Sequence, residues 1–276
     1  MQTNIEVKTV EGFGEEWSKF DQSKLAEEEH LQIFESYFRI FPWEKLPEDA
    51  VGFDLGCGSG RWAKAVAPRV GKLICIDASK DALEVAQRNL QHQINCQFHH
   101  ALATEIPLTD NSMDFGYSLG VLHHTPNLLK GIKQCTDKLK KGAPFLIYLY
   151  YDFDNRPTWF RLLWKISDIF RRGISKLPSG IKHLVADIIA LTIYFPLART
   201  TYLLEKLGLK VAGFPLSIYR NRSFYTMRTD SLDRFGTRIE HRLTKVQIKD
   251  VLTSVGFENI QFSDKEPFWC AVGIKK

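Results

Sequence analysis

Between Val51 and Gly60 the chain leaves a short apolar run and enters Asp54-Leu55-Gly56-Cys57-Gly58-Ser59-Gly60. A helical pattern starts at Arg61. Three glycines in five residues permit a tight backbone reversal and a close approach to a ligand. A turn of this kind between a buried strand and a helix fits few architectures other than a parallel α/β sheet. The rest of the pattern agrees. Residues 24–41 have helical spacing, with Leu31, Phe34, Tyr37, Phe38 and Phe41 recurring at three and four, and Pro42 and Pro47 follow. Helices are expected over 61–70, 79–90 and 128–139, and strands over 51–55, 72–76, 97–100, 113–119 and 144–151. Ser79 is the N-cap candidate of its helix, with Ala82 at the third helical position. Residues 153–225 interrupt the alternation with aromatic-rich helical stretches. A helix over 244–255, stopped at Gly256, then leads into strands 257–263 and 268–274, close enough to pair as an antiparallel hairpin.

The turn excludes two common ligands. The dinucleotide fingerprint GxGxxG has its third glycine five residues after the first. Here it comes after four, and Arg61 holds the position. No Gly-Lys-Ser/Thr follows, so the loop is not a phosphate-binding P-loop. Asp54 just before the turn would repel a pyrophosphate and suits a ligand with a positive ammonium group. Asp77 ends the second strand, seventeen residues after Gly60. A carboxylate there can accept two hydrogen bonds from a ribose diol, or cap the helix that follows.

Taken together, Asp54 to Gly60, Asp77 and Ser118-Leu119-Gly120-Val121-Leu122-His123-His124 resemble the class I S-adenosylmethionine-dependent methyltransferases. The resemblance runs from Val51 to about Tyr150, and the C-terminal hairpin extends it. It implies a Rossmann-like α-β-α sandwich around a seven-stranded, mostly parallel sheet of order 3-2-1-4-5-7-6, with strand 7 antiparallel. The implied organisation is a helical lid over 1–47, a cofactor-binding domain over 48–152 and 226–276, and a helical insertion over 153–225 after strand five that caps the acceptor. The implied cofactor is S-adenosyl-L-methionine. Asp54 and Gly56 would face its methionine part, with Cys57 in the turn and Gly58 and Gly60 keeping it open. Asp77 would bind the ribose, with Ala78 beside the adenine. Leu119 and Gly120 would line the methionine arm, and Trp17 and Phe13 would fold over the site. After strand three the family often has an Asp that reads the adenine amino group. This chain has Leu102, in Ala101-Leu102-Ala103-Thr104, so adenine recognition falls to a backbone N–H such as that of Ala103 or to His100 or Thr104.

Methyl transfer needs alignment, and a base only where the acceptor carries a proton. The candidates are His123, His124, His241 and Asp152. Adjacent His residues on a strand point to opposite faces, so no metal site is expected. Acceptor class is narrowed by sequence. An Asn/Asp-Pro-Pro-aromatic tetrapeptide or a Pro-Cys nucleophile would mark nucleic-acid enzymes of this fold, and neither occurs. The expected acceptor is a small molecule, bulky and apolar or anionic, since residues 153–225 interleave aromatics with Arg and Lys. The net charge of +5 is unevenly spread, −6 over residues 1–154 and +11 over 155–245. Arg161, Lys165, Arg171, Arg172 and Lys176 beside Trp159, Leu162, Trp164 and Ile166 have the composition of an interfacial helix. That admits peripheral contact with an anionic membrane or lipid, and a rival reading as a non-catalytic docking module. An RNA methyltransferase is a further rival, drawn from the same positive charge. Five scattered cysteines without a CxxC pair, and no signal-like N-terminal run, lead to an expectation of a cytoplasmic protein.

Overall fold

The computed structural model describes residues 4–276. The first three residues of the expected lid segment 1–47 lie outside the described residues. Two compact units divide the chain. One comprises residues 4–22, 30–152 and 239–276, and the other residues 23–29 and 153–238.

The first unit is built on seven strands: β1 (Val51–Leu55), β2 (Lys72–Asp77), β3 (Cys96–His100), β4 (Phe115–Leu119), β5 (Pro144–Tyr148), β6 (Phe257–Phe262) and β7 (Cys270–Lys275). Their order is β3-β2-β1-β4-β5-β7-β6. β1 pairs in parallel with β2 and β4, whereas β7 runs antiparallel to β5 and β6. β1, β2 and β4 are buried almost throughout, as parallel strands covered on both faces must be. On one face Phe53, Phe145 and Phe257 stack in sequence, with centroids 6.0 and 5.5 Å apart. They share a core with Ile132 and Cys135 of α5 (Leu128–Lys138) and Ile248 and Leu252 of α10 (Lys245–Ser254). On the other face Phe38 and Phe41 meet Tyr117 and Phe115 edge-on.

Helix ends follow local chemistry. Ser79 Oγ accepts from the Ala82 N–H at the start of α4 (Lys80–Asn89). Thr244 and Gln247 close a capping box on α10. Several elements are shorter than the sequence pattern suggests, the fifth strand among them, which ends at Tyr148 and not at 151. The helix from Arg61 (α3, Arg61–Val66) tightens into a 3-10 turn over Ala67–Arg69, where Pro68 has no N–H for an α-helical bond. The fourth strand begins at Phe115, because Met113 makes only an isolated bridge to Leu139.

The second unit contains α6 (Thr158–Ile174), α7 (Ser179–Ile189), α8 (Phe195–Lys206) and α9 (Phe224–Gly236). A π-helical segment, Ala190–Tyr194, joins α7 to α8. Pro196 falls in the first turn of α8, just past that wider turn, where its missing N–H breaks no α-helical bond. Arg171 on α6 bonds Asp168 at 2.6 Å and the Thr237 carbonyl at 2.9 Å. Arg228 on α9 grips Asp187 on α7 with two bonds of 2.9 Å.

A reciprocal contact fixes β1 against β4. Gly52 pairs with Phe115 and Phe53 with Gly116. A Cβ at Gly52 would stand 2.2 Å from the Phe115 ring, and one at Gly116 would stand 2.4 Å from the Phe53 ring. Each ring lies over the neighbouring strand's glycine, on opposite faces. Gly52→Ala should therefore destabilise the fold by about 1–3 kcal/mol through overpacking. Urea unfolding checks this, and an unchanged midpoint would refute it.

Candidate active site

β1 delivers Asp54 to the carboxyl end of the sheet with no solvent exposure. Neither carboxylate oxygen has a hydrogen-bond partner among the described residues, nor does Ser59 Oγ in the turn beyond. Burial pushes the Asp54 pKa well above the usual carboxylate range. The Tyr117 hydroxyl, from the residue paired with Asp54 on β4, draws it part of the way back without meeting full hydrogen-bond geometry. The loop then wraps the end of β2, where the N–H groups of Gly56 and Cys57 both donate to the Ile76 carbonyl, at 2.7 and 3.1 Å. Gly56, Gly58 and Gly60 all have left-handed φ, at 76°, 53° and 76°. A Cβ at Gly56 would strike Val121 at 2.3 Å. Contact with the Cys75 thiol lowers the Cys57 pKa, but burial and the nearby Asp77 and Asp54 outweigh it and push it up to about 11.

Asp77 ties the loop to the next helix. One oxygen accepts from the Gly58 N–H and the other from the Ser79 N–H, both at 2.8 Å. Burial raises its pKa, with these two N–H groups opposing. His100 Nε2 lies 2.8 Å from the Ala78 carbonyl and fixes that residue. α1 (Asn4–Lys19) crosses above. A Cβ at Gly58 would meet the Trp17 indole at 2.8 Å, and one at Gly14 would meet Ser79 Oγ at 2.6 Å. The Phe13 ring centre is 5.1 Å from that of His124.

Beyond β4, Gly120 has φ 79° and open space where a side chain would be. A 3-10 turn over Leu122–His124 follows. His123 is fully buried, and neither ring nitrogen has a hydrogen-bond partner among the described residues. Burial first, then the neighbouring His124, Arg242 and His241, hold its pKa well below the ordinary imidazole value, so the ring is neutral at physiological pH. It stacks on Tyr150 at 3.9 Å. Arg242 lies over the same Tyr150 ring, 4.9 Å from its centroid, and bonds Glu240 at 2.7 Å and the Tyr151 carbonyl at 3.1 Å. His124 Nδ1 lies 2.6 Å from the Ile239 carbonyl.

Residues 53–147 match the family model described as a methyltransferase domain. The matched segment is a methyltransferase domain, similar to the class I S-adenosylmethionine-dependent family. It is 29% identical over 102 residues to a demethylmenaquinone methyltransferase of Bacillus licheniformis, covering 36% of this chain and 44% of that protein. It is 28% identical over 149 residues to a sterol 4-C-methyltransferase of Caenorhabditis elegans, covering 50% and 42%. The chain spans less than half the length of these curated relatives. A methyltransferase of Haloferax volcanii, solved in complex with a methyltransferase activator, superposes with a TM-score of 0.53 at 14% identity. That match covers 95% of this chain and 97% of that one, and it speaks for the fold.

The methyltransferase site fits its family's cofactor on two observations of this chain. A buried carboxylate without a hydrogen-bond partner lies at the end of β1, and a glycine cradle that any Cβ would fill lies beside it. Asp54, Gly56, Cys57, Gly58, Gly60, Asp77 and Ala78 gather there, under Trp17. Leu119 ends the adjacent strand, β4, and Gly120 follows it. Ala103 sits differently, packed on the apolar core 3.8 Å from where a Cβ on Gly131 would lie, which leaves only its backbone for a ligand. His123 and His124 lie together, with ring centres 4.0 Å apart. His241 reaches the group through its backbone N–H to the His123 carbonyl, while its exposed ring turns to the Thr125 carbonyl at 3.1 Å. Tyr117, Tyr150, Glu240 and Arg242 were not among the residues the sequence pointed to. Tyr117 was within reach of strand register, but nothing in the pattern marked the other three.

A carboxyl group whose folded pKa is raised favours the native state fully below its unfolded pKa, and loses that contribution as pH rises toward the folded value. Asp54→Asn should therefore stabilise the cofactor-free protein at neutral pH, with the gain shrinking toward about pH 4. Urea unfolding at the two pH values tests it, and a variant less stable at neutral pH would contradict it.

Proposed function

We propose that this methyltransferase moves the S-methyl group of S-adenosylmethionine to a small acceptor, bulky and apolar or anionic, by in-line displacement. The carrying observation is the buried Asp54 carboxylate without a hydrogen-bond partner beside a glycine turn. The cofactor, when bound, supplies an activated methyl on a sulfonium. The chain's own residues bind, align and exclude water. Asp54 offers a desolvated negative charge to the ligand's ammonium group. Asp77 keeps lone pairs for a ribose diol while its bonds to Gly58 and Ser79 hold the loop in shape. Trp17 and Phe13 shield the crevice from water.

His123 is the proposed acceptor-side base. Its neutral imidazole can accept the proton of an acceptor hydroxyl or amine at whichever nitrogen carries no hydrogen, and the stack on Tyr150 holds the ring. The similarity to a demethylmenaquinone methyltransferase and to a sterol methyltransferase supports an apolar ring compound as acceptor. The aromatic and basic composition of residues 153–238 supports the same class.

Two measurements test this reading. Calorimetry should show binding of S-adenosylmethionine and not of NAD, weakened at least about tenfold in Asp77→Ala through loss of charged hydrogen bonds. Equal affinity in the variant would mean the cofactor lies elsewhere. With an acceptor found by screening quinones, sterols and RNA, His123→Gln should lower kcat by roughly a hundredfold or more while cofactor affinity stays unchanged. An unchanged kcat would remove His123 from the reaction, and methylation of RNA alone would overturn the acceptor class.

A further inference from the structure

Residues 153–238 reverse the usual relation between helix faces and water. Among the described residues, all the exposed large apolar side chains except Val7, Leu31, Ile94, Leu129 and Val246 lie in this segment. α7, the π segment and α8 run as one helix of 28 residues, Ser179–Lys206, with only 22% of its most apolar 18-residue window buried in the fold. Its inner side is mostly small or polar, around one buried aromatic ring, that of Tyr194. Ala186, Ala190, Ala198 and Thr201 are buried there, and Ser231 of α9 donates to the Ala186 carbonyl at 2.8 Å. Its outer side carries Ile181, Leu184, Ile188, Leu191 and Phe195, between 38% and 60% exposed. Steps of three and four place them in one stripe. A helix adapted to water would hide that stripe and expose the alanines.

α6 has the same composition. Leu162, Ile166, Ile169 and Phe170 are about half exposed or more, while Asp168 and Arg171 are buried on the opposite side. The charge is one-sided. Residues 155–245 carry a net +11. Arg161, Lys165, Arg172 and Lys176 are exposed on and just after α6, as are Lys206 and Lys210 at the end of α8. The acidic groups of these helices are committed to ion pairs, Asp168 with Arg171 and Arg172, Asp187 with Arg228, and Glu205 with Arg220.

We infer that this unit docks on a bilayer with anionic headgroups, the outer stripe of Ser179–Lys206 sinking into the boundary between headgroups and acyl chains. The apolar stripe supplies burial, and the surrounding Lys and Arg supply attraction to lipid phosphate. The helix lies in the interface and does not cross. The Asp187–Arg228 pair, about a third exposed, and the buried Lys182 keep its inner side polar along much of α7, and a crossing would carry those charges through hydrocarbon. The inference extends the acceptor reading, since an apolar acceptor resides in membranes, but it is tested without any acceptor.

The test is flotation of the full chain with vesicles of phosphatidylcholine and phosphatidylglycerol, against phosphatidylcholine alone. Binding should require the anionic lipid and fall with salt. Leu184→Glu with Leu191→Glu should weaken it by about a hundredfold or more. Both positions are exposed, so thermal stability and S-adenosylmethionine affinity should be retained. A protein that binds cofactor but floats with no vesicle overturns docking and leaves the methyl-transfer reading standing. So does a double variant that binds vesicles like the parent. A dimer in sedimentation that the double variant dissolves, without vesicle binding, would mean that a second copy of the chain covers the stripe.

Discussion

A buried carboxylate without a partner governs this structure. Leaving Asp54 charged and unpaired at the end of β1 is costly, and burial shifts its pKa upward in response. Such a group persists where a ligand completes it. The surroundings are arranged accordingly. β1 lies at the centre of the sheet, and the reciprocal Gly52–Phe115 and Phe53–Gly116 contacts pin its register. That register sets Tyr117 opposite Asp54. The three left-handed glycines turn the chain away from the carboxylate without filling the space beside it. Asp77 then fastens the turn to the start of α4, so the end of β2 and the loop hold each other.

Much of this was legible in the sequence, because the features concerned are local. The DxGxGxG turn announces strand, reversal and helix within ten residues. Ser79 and Thr244 cap the helices that their spacing suggests. The sheet order follows from the family that those motifs resemble, and the observed order is the same. What escaped was set by tertiary neighbours. Glu240 and Arg242 are ordinary charged residues in a linking segment until the fold brings them beside Tyr150 and His123. In the sequence, residues 188–198 form a short apolar run that contains Pro196. The π turn instead absorbs the proline and makes a single long helix.

The chain thus carries two kinds of chemistry in separate units. The acidic unit holds the methyltransferase sheet and a crevice built around desolvated carboxylates. The basic unit turns Leu and Ile outward on helices that enclose a small core of Tyr194, Ala198, Met227 and Phe235 beside Ala, Thr and ion pairs. Neither pattern stabilises a protein in water, since one buries a carboxyl group without a hydrogen-bond partner and the other leaves apolar surface wet. The two proposals give each a partner of complementary chemistry, an ammonium-bearing cofactor for the first and an anionic lipid surface for the second.

The most direct measurement of the central claim is the proton balance of cofactor binding. Titration calorimetry with S-adenosylmethionine near neutral pH, repeated in buffers of different ionisation enthalpy, reports the protons exchanged on binding. If Asp54 is the group that meets the ammonium, its carboxyl ionises as the ligand enters. The wild type should then release protons to the buffer beyond any released in Asp54→Asn, whose affinity should also be lower. The same proton count and affinity in both proteins would contradict the account.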